Sequence, residues 1–109
     1  MNVSELAQAL ELVPVALADG ERAVRGAYCG DLLSWVMGRA RSGDVWITIM
    51  SNINVVAVAS LSDAACVIFA EGVSAEPAVV EAALAKGVNL FSSARTAYEL
   101  AAALSDVLT

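Results

Sequence analysis

Cys29, Gly30 and Asp31 place a thiol, a glycine and a carboxylate side by side in the stretch Gly26-Ala27-Tyr28-Cys29-Gly30-Asp31-Leu32-Leu33-Ser34, where an extended run gives way to a helical one. A strand that bends sharply into a helix presents main-chain N–H groups at the bend, and such groups suit an anion or a small ligand. Three further turns carry related chemistry: Ser51-Asn52-Ile53-Asn54, Glu71-Gly72-Val73-Ser74 and Ser92-Ser93-Ala94-Arg95-Thr96. Together they offer hydroxyls, amides and a guanidinium, the groups that hold a phosphate, a carboxylate or a nucleotide fragment. The candidate ligand-binding residues are therefore Tyr28, Cys29, Gly30, Asp31, Ser51, Asn52, Asn54, Gly72, Ser92, Ser93 and Arg95.

Each has a structural reading beside the functional one. Serine, asparagine and aspartate are the best helix caps, worth about 0.5–2 kcal/mol over alanine. Asp31 is either a first-turn partner of a helix dipole or a general acid or base. Cys29, beside a helix N-terminus, is either a thiol of lowered pKa or a small packed residue, whereas Cys66 in its apolar run is core. Tyr28 either fills the core or lies over a ligand ring, and Arg95 faces either the cleft or solvent. Trp35 and Trp46 read as core or subunit-contact aromatics.

Known catalytic sets are missing. The chain has no histidine and two cysteines, so it holds no Ser-His-Asp or Cys-His arrangement and no four-ligand zinc site. The only lysine, Lys86, is followed by the helix-ending Gly87, so there is no Walker A loop, and Gly26 and Gly30 alone do not make a dinucleotide fingerprint. The expectation is a protein without enzymatic activity, cofactor or metal.

Alternating elements would have to position these turns. Val3, Leu6, Ala7 and Leu10 have helical spacing behind Asn2 or Ser4 as a cap. Leu12 to Leu17 contains Pro14, which makes it an edge strand or an irregular extended piece ending at Asp19-Gly20. Ala23 to Tyr28 reads as a strand and Asp31 to Arg41 as a helix, with Leu32, Leu33, Trp35, Val36 and Ala40 largely on one side. Val45 to Met50, β-branched and aromatic, is the clearest strand. Val55 to Leu61 continues as a helix from the capping turn before it, and Ala65 to Ala70 is a buried strand. Pro77 opens a helix that Gly87 closes, Val88 to Phe91 forms a short strand, and Ser92-Ser93 caps a last helix over residues 94–108. This alternation predicts a single-domain, three-layer α/β fold: a mostly parallel sheet with helices on both faces. In such a sheet the strand-to-helix turns gather along one rim, where ligands bind.

Composition sets the partners. Of the 109 residues, 59% are hydrophobic and 17% charged, against about 45–50% and about 25% in an ordinary soluble domain. The surplus apolar surface predicts a homodimer. Six basic residues against twelve acidic ones leave a charge of −6 without a basic run, which argues against nucleic acid. The apolar stretch from Val55 to Ala70 is interrupted by Ser60, Ser62 and Asp63 and is too short to span a bilayer, and the amino-terminal residues do not resemble a signal peptide; a cytoplasmic protein away from the membrane is expected.

Gly26 to Met37, Gly43-Asp44-Val45-Trp46-Ile47-Thr48-Ile49, Asn54-Val55-Val56-Ala57-Val58-Ala59 and the order of elements down to Tyr98-Glu99-Leu100 resemble a stand-alone DRTGG domain, a module similar to the N-terminal domain of HPr kinase/phosphorylase. The pentapeptide that names the family does not occur; the nearest stretch is Glu21-Arg22-Ala23-Val24-Arg25-Gly26. The resemblance implies a three-layer α/β fold and self-association. Related domains accompany CBS domain pairs in nucleotide-regulated pyrophosphatases, occur in some phosphotransacetylases, or stand alone near iron hydrogenase and electron-transfer subunits. A serine kinase label does not follow, because that activity belongs to a separate P-loop domain. The expected function is a noncatalytic regulatory module that binds a small anionic metabolite or nucleotide at the strand ends; the alternative is an oligomerisation or assembly partner of a hydrogenase-type redox enzyme, without a small ligand.

Overall fold

Every residue of β3 (Asp44–Thr48) and β4 (Cys66–Phe69) is buried, as happens when a strand is covered on both faces. The computed structural model describes residues 1–108 and shows the cause. A five-stranded sheet runs in the order β1-β5-β4-β3-β2, in which β2 (Gly26–Cys29), β3, β4 and β5 (Leu90–Ser92) are parallel. The edge strand β1 (Val13–Ala16) is antiparallel to β5 and slips register between Pro14 and Ala16. Proline at an edge costs no ladder hydrogen bond, so the constraint read from Pro14 is met by this placement.

From β2 to β5 each strand adds to the same side of its predecessor. The three crossover helices α2 (Leu33–Arg39), α3 (Ile53–Leu61) and α4 (Pro77–Lys86) therefore share one face, packed around Trp46, Val67, Phe69 and Leu90. The other face carries α1 (Val3–Ala9) and α5 (Ala97–Leu108) over Val45, Ile47, Ile68 and Phe91. The result is the three-layer α/β arrangement, with helices on both faces, that the alternation of elements predicted.

Local chemistry explains the boundaries. Asn2 caps α1 in a reciprocal box with Glu5, its Oδ1 accepting from the Glu5 N–H at 2.8 Å while Glu5 accepts from the Asn2 N–H at 2.9 Å. Asn52 caps α3, Pro77 opens α4, and Gly87 ends α4 in a left-handed conformation. The central helix α3, flanked by α2 and α4, buries Val55, Val56, Val58 and Ala59, and this packing outweighs the low helix propensity of its valines.

Four expectations are corrected. β2 begins at Gly26 and not at Ala23, because the preceding residues are held elsewhere: Ala23 bridges Asn2, and Val24 donates to the Met1 carbonyl. The second helix spans Leu33–Arg39, shorter than residues 31–41, since the Asp31 carboxylate is engaged outside it and Leu32 provides no side-chain cap. Only Val36 of that helix is fully buried; Leu32 and Trp35 are 57% and 52% exposed, because α2 lies at the sheet margin with one neighbouring helix. The last helix starts at Ala97 with Thr96 and Glu99 in reciprocal hydrogen bonds, so Ser92 and Ser93 belong to β5 and its loop and do not cap it.

Asn89 ties the layers together. It is 2% exposed; its Oδ1 accepts from the Ala18 and Asp19 N–H groups at 2.8 Å each, and its Nδ2 donates to the carbonyls of Asp19 at 2.8 Å and Ala65 at 3.0 Å. Replacing it with leucine, close in size, removes four hydrogen bonds; the Asp19 carbonyl keeps the Arg22 N–H at 3.4 Å, while the Ala18 and Asp19 N–H groups lose their shared acceptor at about 1–3 kcal/mol each where they stay dry. Asn89→Leu is expected to lower unfolding stability by about 3 kcal/mol or more, read from the denaturant midpoint at unchanged m-value.

Candidate functional site

Because β2 to β5 are parallel, the turns that follow them lie along one rim. Their contacts show how closely. Asp31, just beyond β2, accepts through Oδ1 from the Thr48 hydroxyl at 2.7 Å and from the Ile49 N–H at 3.0 Å. Gly30 donates to the Ile47 carbonyl at 3.1 Å, and its own carbonyl accepts from the Trp46 indole at 2.8 Å. A methyl group at Gly30 would stand 2.9 Å from Tyr28 Cε2, so the glycine is needed for the close approach of that ring. The Gly30 N–H is thus committed to the sheet, and the bend does not present it to a ligand.

The turns after β4 and β5 are joined to each other. Glu71 donates to the Arg95 carbonyl at 2.8 Å, Gly72 to the Ser93 carbonyl at 2.8 Å, and Ser93 to the Phe69 carbonyl at 3.0 Å. At this point α4 departs toward one face and α5 toward the other. Strand ends whose helices part in this way form the ligand crevice of open α/β sheets, but here main-chain hydrogen bonds stitch it shut.

The open space lies one strand over. A cleft of about 290 Å³ is bounded by Cys29, Gly30 and Asp31 from the β2 turn, by Ile47, Thr48 and Ile49 from the end of β3, and by Glu71 and Ala97. Glu71 is held in a left-handed backbone conformation (φ 59°), a strain on the order of 1 kcal/mol for a non-glycine residue. Two carboxylates thus flank the cleft, while α5 points its N-terminus at it through Ala97.

Of the residues chosen from sequence, Cys29, Gly30 and Asp31 meet in this cleft. Gly72, Ser93 and Arg95 do not line it and belong to the stitched turns; Arg95 is exposed, and its charge supports the Glu99 carboxylate, whose pKa is held below the ordinary value first by the Thr96 N–H and then by the Thr96 hydroxyl. The Ser93 hydroxyl accepts from the Arg95 N–H at 3.2 Å. Ser92, half-buried, sits in β5, and Ser51 is half-buried ahead of α3. Asn52 is occupied as a cap, accepting from the Asn54 N–H at 2.9 Å, and Asn54 is exposed in the first turn of α3. Tyr28 does not line this cleft: its ring passes close beside Gly30, packs against the Trp46 core and lines a different cleft. Sequence reading passed over Thr48, and named Glu71 within its turn without choosing it as a ligand residue. Thr48 had a signal, being the one hydroxyl at the end of an apolar strand.

One thiol is corrected as well: Cys29 is exposed at the surface and not packed, although its sulfur is partly desolvated. Burial, and then the neighbouring Asp31 charge, push the Cys29 thiol above its ordinary pKa, so the helix N-terminus does not activate it. Cys66, as expected for core, is fully buried and pushed up to about 12. Neither cysteine is in a disulfide. Among the described residues no cluster of histidine, cysteine, aspartate or glutamate is arranged to hold a metal, and no helix is long and apolar enough to cross a membrane.

Neither a family model nor a curated protein matches this chain. Its fold does match a solved structure, described as the CBS and DRTGG domains of the regulatory region of Clostridium perfringens pyrophosphatase complexed with the activator diadenosine tetraphosphate. The TM-score is 0.73 over 94% of this chain, at 9% sequence identity. That likeness is one of fold. The chain spans 45% of the length of that protein, so its counterpart there is one part of a larger regulatory region.

Two outcomes test the site's geometry. Asp31→Ala removes the two hydrogen bonds from Thr48 and Ile49, leaves the two made by Gly30, and is expected to cost about 1–2 kcal/mol of unfolding free energy, while Asp31→Asn keeps an acceptor and most of the stability. The raised pKa leaves less Cys29 thiolate at neutral pH than in a free cysteine, so alkylation of the folded protein should rise with pH along a curve displaced upward, and Asp31→Asn should move it back down.

Proposed function

We propose that this chain is a noncatalytic regulatory module of DRTGG type that binds a nucleotide or related small metabolite at the strand-end cleft. The observation that carries this reading is the match of nearly the whole fold to a regulatory region, together with an open cleft at the rim where parallel α/β sheets take their ligands. The cleft's polarity narrows the ligand. Asp31 and Glu71 accept hydrogen bonds, so they suit the amino or hydroxyl groups of a base or sugar, while the anionic end is directed to the α5 N-terminus and Arg95 outside the acidic lining. At about 290 Å³ the cleft holds a nucleoside-sized fragment, at the lower end of the roughly 300–1,000 Å³ typical of ligand pockets. The similarity to the N-terminal domain of HPr kinase/phosphorylase belongs to the same proposal, without the kinase activity.

The module is proposed to act as a homodimer in the cytoplasm. Leu32 and Trp35 leave 57% and 52% of their surface exposed beside and on α2, apolar surface that a second copy would cover. Two free thiols fit a reducing compartment. That same apolar face supports the second reading, docking to a redox enzyme complex. The two readings part on oligomeric state: Trp35→Glu is expected to convert a dimer to a monomer in light scattering, whereas a wild-type protein already monomeric favours docking to a different partner.

Ligand binding to the native state raises its melting temperature by mass action, with a gain of about 2.7 kcal/mol at a concentration of about 100 Kd. Screening nucleotides and phosphorylated metabolites at millimolar concentration should therefore yield at least one that shifts the melting temperature, with the shift reduced in Asp31→Ala and Arg95→Gln. A flat response across such a screen removes the ligand-sensing reading.

A further inference from the structure

The chain carries six basic residues against twelve acidic ones, yet three of the six, Arg25, Arg39 and Arg41, converge on a single cleft of about 500 Å³. It lies at the amino-terminal ends of β2 and β3, the end of the sheet opposite the strand-end rim. From this convergence we infer a second site, which binds a phosphate-bearing small polyanion, and this inference is independent of the ligand proposed at the rim.

Each arginine is positioned by the fold. The Arg25 N–H donates to the Gly43 carbonyl at 2.9 Å, and the Arg25 stem lies across Gly43, whose φ of 84° and lack of a Cβ allow it. The Arg39 guanidinium rests 3.7 Å above the centroid of the Trp35 ring, a cation–π contact that holds it at the edge of α2. Arg41 is fixed through its main chain, its N–H donating to Asp44 Oδ2 at 2.8 Å while its carbonyl accepts from the Asp44 N–H at 3.0 Å. Asp44, buried, is the only carboxylate in the lining, and Gly26 makes room for it: a Cβ there would meet Asp44 Oδ1 at 2.8 Å.

The charges in this cleft are not balanced from within. Among the described residues no carboxylate forms an ion pair with Arg25, Arg39 or Arg41, and no acceptor takes a hydrogen bond from their guanidiniums; it is Arg22 that pairs with a carboxylate, Asp63, at 2.8 Å. Three like charges gathered around one carboxylate repel one another, and an anion relieves that repulsion. A carboxylate ligand offers two oxygens in a plane and engages one or two such forks. A phosphoryl group offers three oxygens in three directions and engages all three, and a diphosphate also matches their charge. Tyr28 forms the wall beyond the arginines and leaves space for the organic part of such a ligand.

Inorganic pyrophosphate is the probe, titrated into the full chain by calorimetry or amide chemical shifts. The expected result is saturable binding that weakens steeply from about 0.01 M to about 1 M salt, as the screening length contracts from roughly 30 Å to roughly 3 Å. Arg25→Gln and Arg41→Gln, made separately so that a folding defect in one leaves the other to decide, should each weaken affinity about tenfold or more. Lys86→Gln, which removes the same unit of charge from the end of α4, should leave it unchanged, and acetate should bind more weakly than pyrophosphate. Absence of binding at low salt overturns the proposal. So does binding that survives both arginine changes, or binding that is lost in Arg95→Gln instead, which would assign the anion to the strand-end rim.

Discussion

Three successive crossovers that all extend the sheet in one direction govern the rest of this molecule. Because α2, α3 and α4 follow β2, β3 and β4 with one hand, they fall on one face, and the opposite face is left for elements from the two ends of the described chain, α1 and α5. The same progression leaves one place where neighbouring strand ends send their helices to opposite sides, between β4 and β5. Two main-chain hydrogen bonds, from Glu71 and Gly72 to Arg95 and Ser93, close that gap. The open cleft is therefore displaced toward β3, where the Asp31 turn and the start of α5 leave a space.

Charge is distributed along the strands in a way that the net value of −6 conceals. At their carboxyl ends β2 and β3 meet Asp31 and Glu71; at their amino ends they meet Arg25, Arg39 and Arg41. β2, only four residues long and at the sheet margin, borders both clefts: Cys29 faces one and Tyr28 the other.

A few polar residues hold the apolar layers in register. Asn89 uses all of its amide capacity to fasten the β1–β2 connection to the sheet, and Asp31 fastens the β2 turn to β3. No buried side-chain nitrogen or oxygen among the described residues is left without a partner. These ties lie between residues far apart in the chain, and that separation explains why the sequence alone left Asn89 unremarked and read Asp31 as a helix partner, an acid or base, or a ligand contact, and not as a tie to β3.

Local rules account for what was legible in the sequence. The alternation of elements, a cap at Asn2 or Ser4, an edge or irregular placement of the Pro14 run, Pro77 and Gly87 at the two ends of α4, and the mainly apolar strands around Trp46 and Val67 each depend on neighbours within a few residues, so periodicity and capping chemistry suffice to read them. The common rim also followed, because parallel strands oblige their turns to share an edge. What only the tertiary structure decided was which groups face each other across space. It separated Tyr28 from Cys29, turned the Gly30 N–H into the sheet, raised the Cys29 thiol by burial beside Asp31, and brought arginines from residues 25, 39 and 41 around one cleft. Those outcomes depend on long-range packing and on the local dielectric, neither of which is encoded in the spacing of residues along the chain.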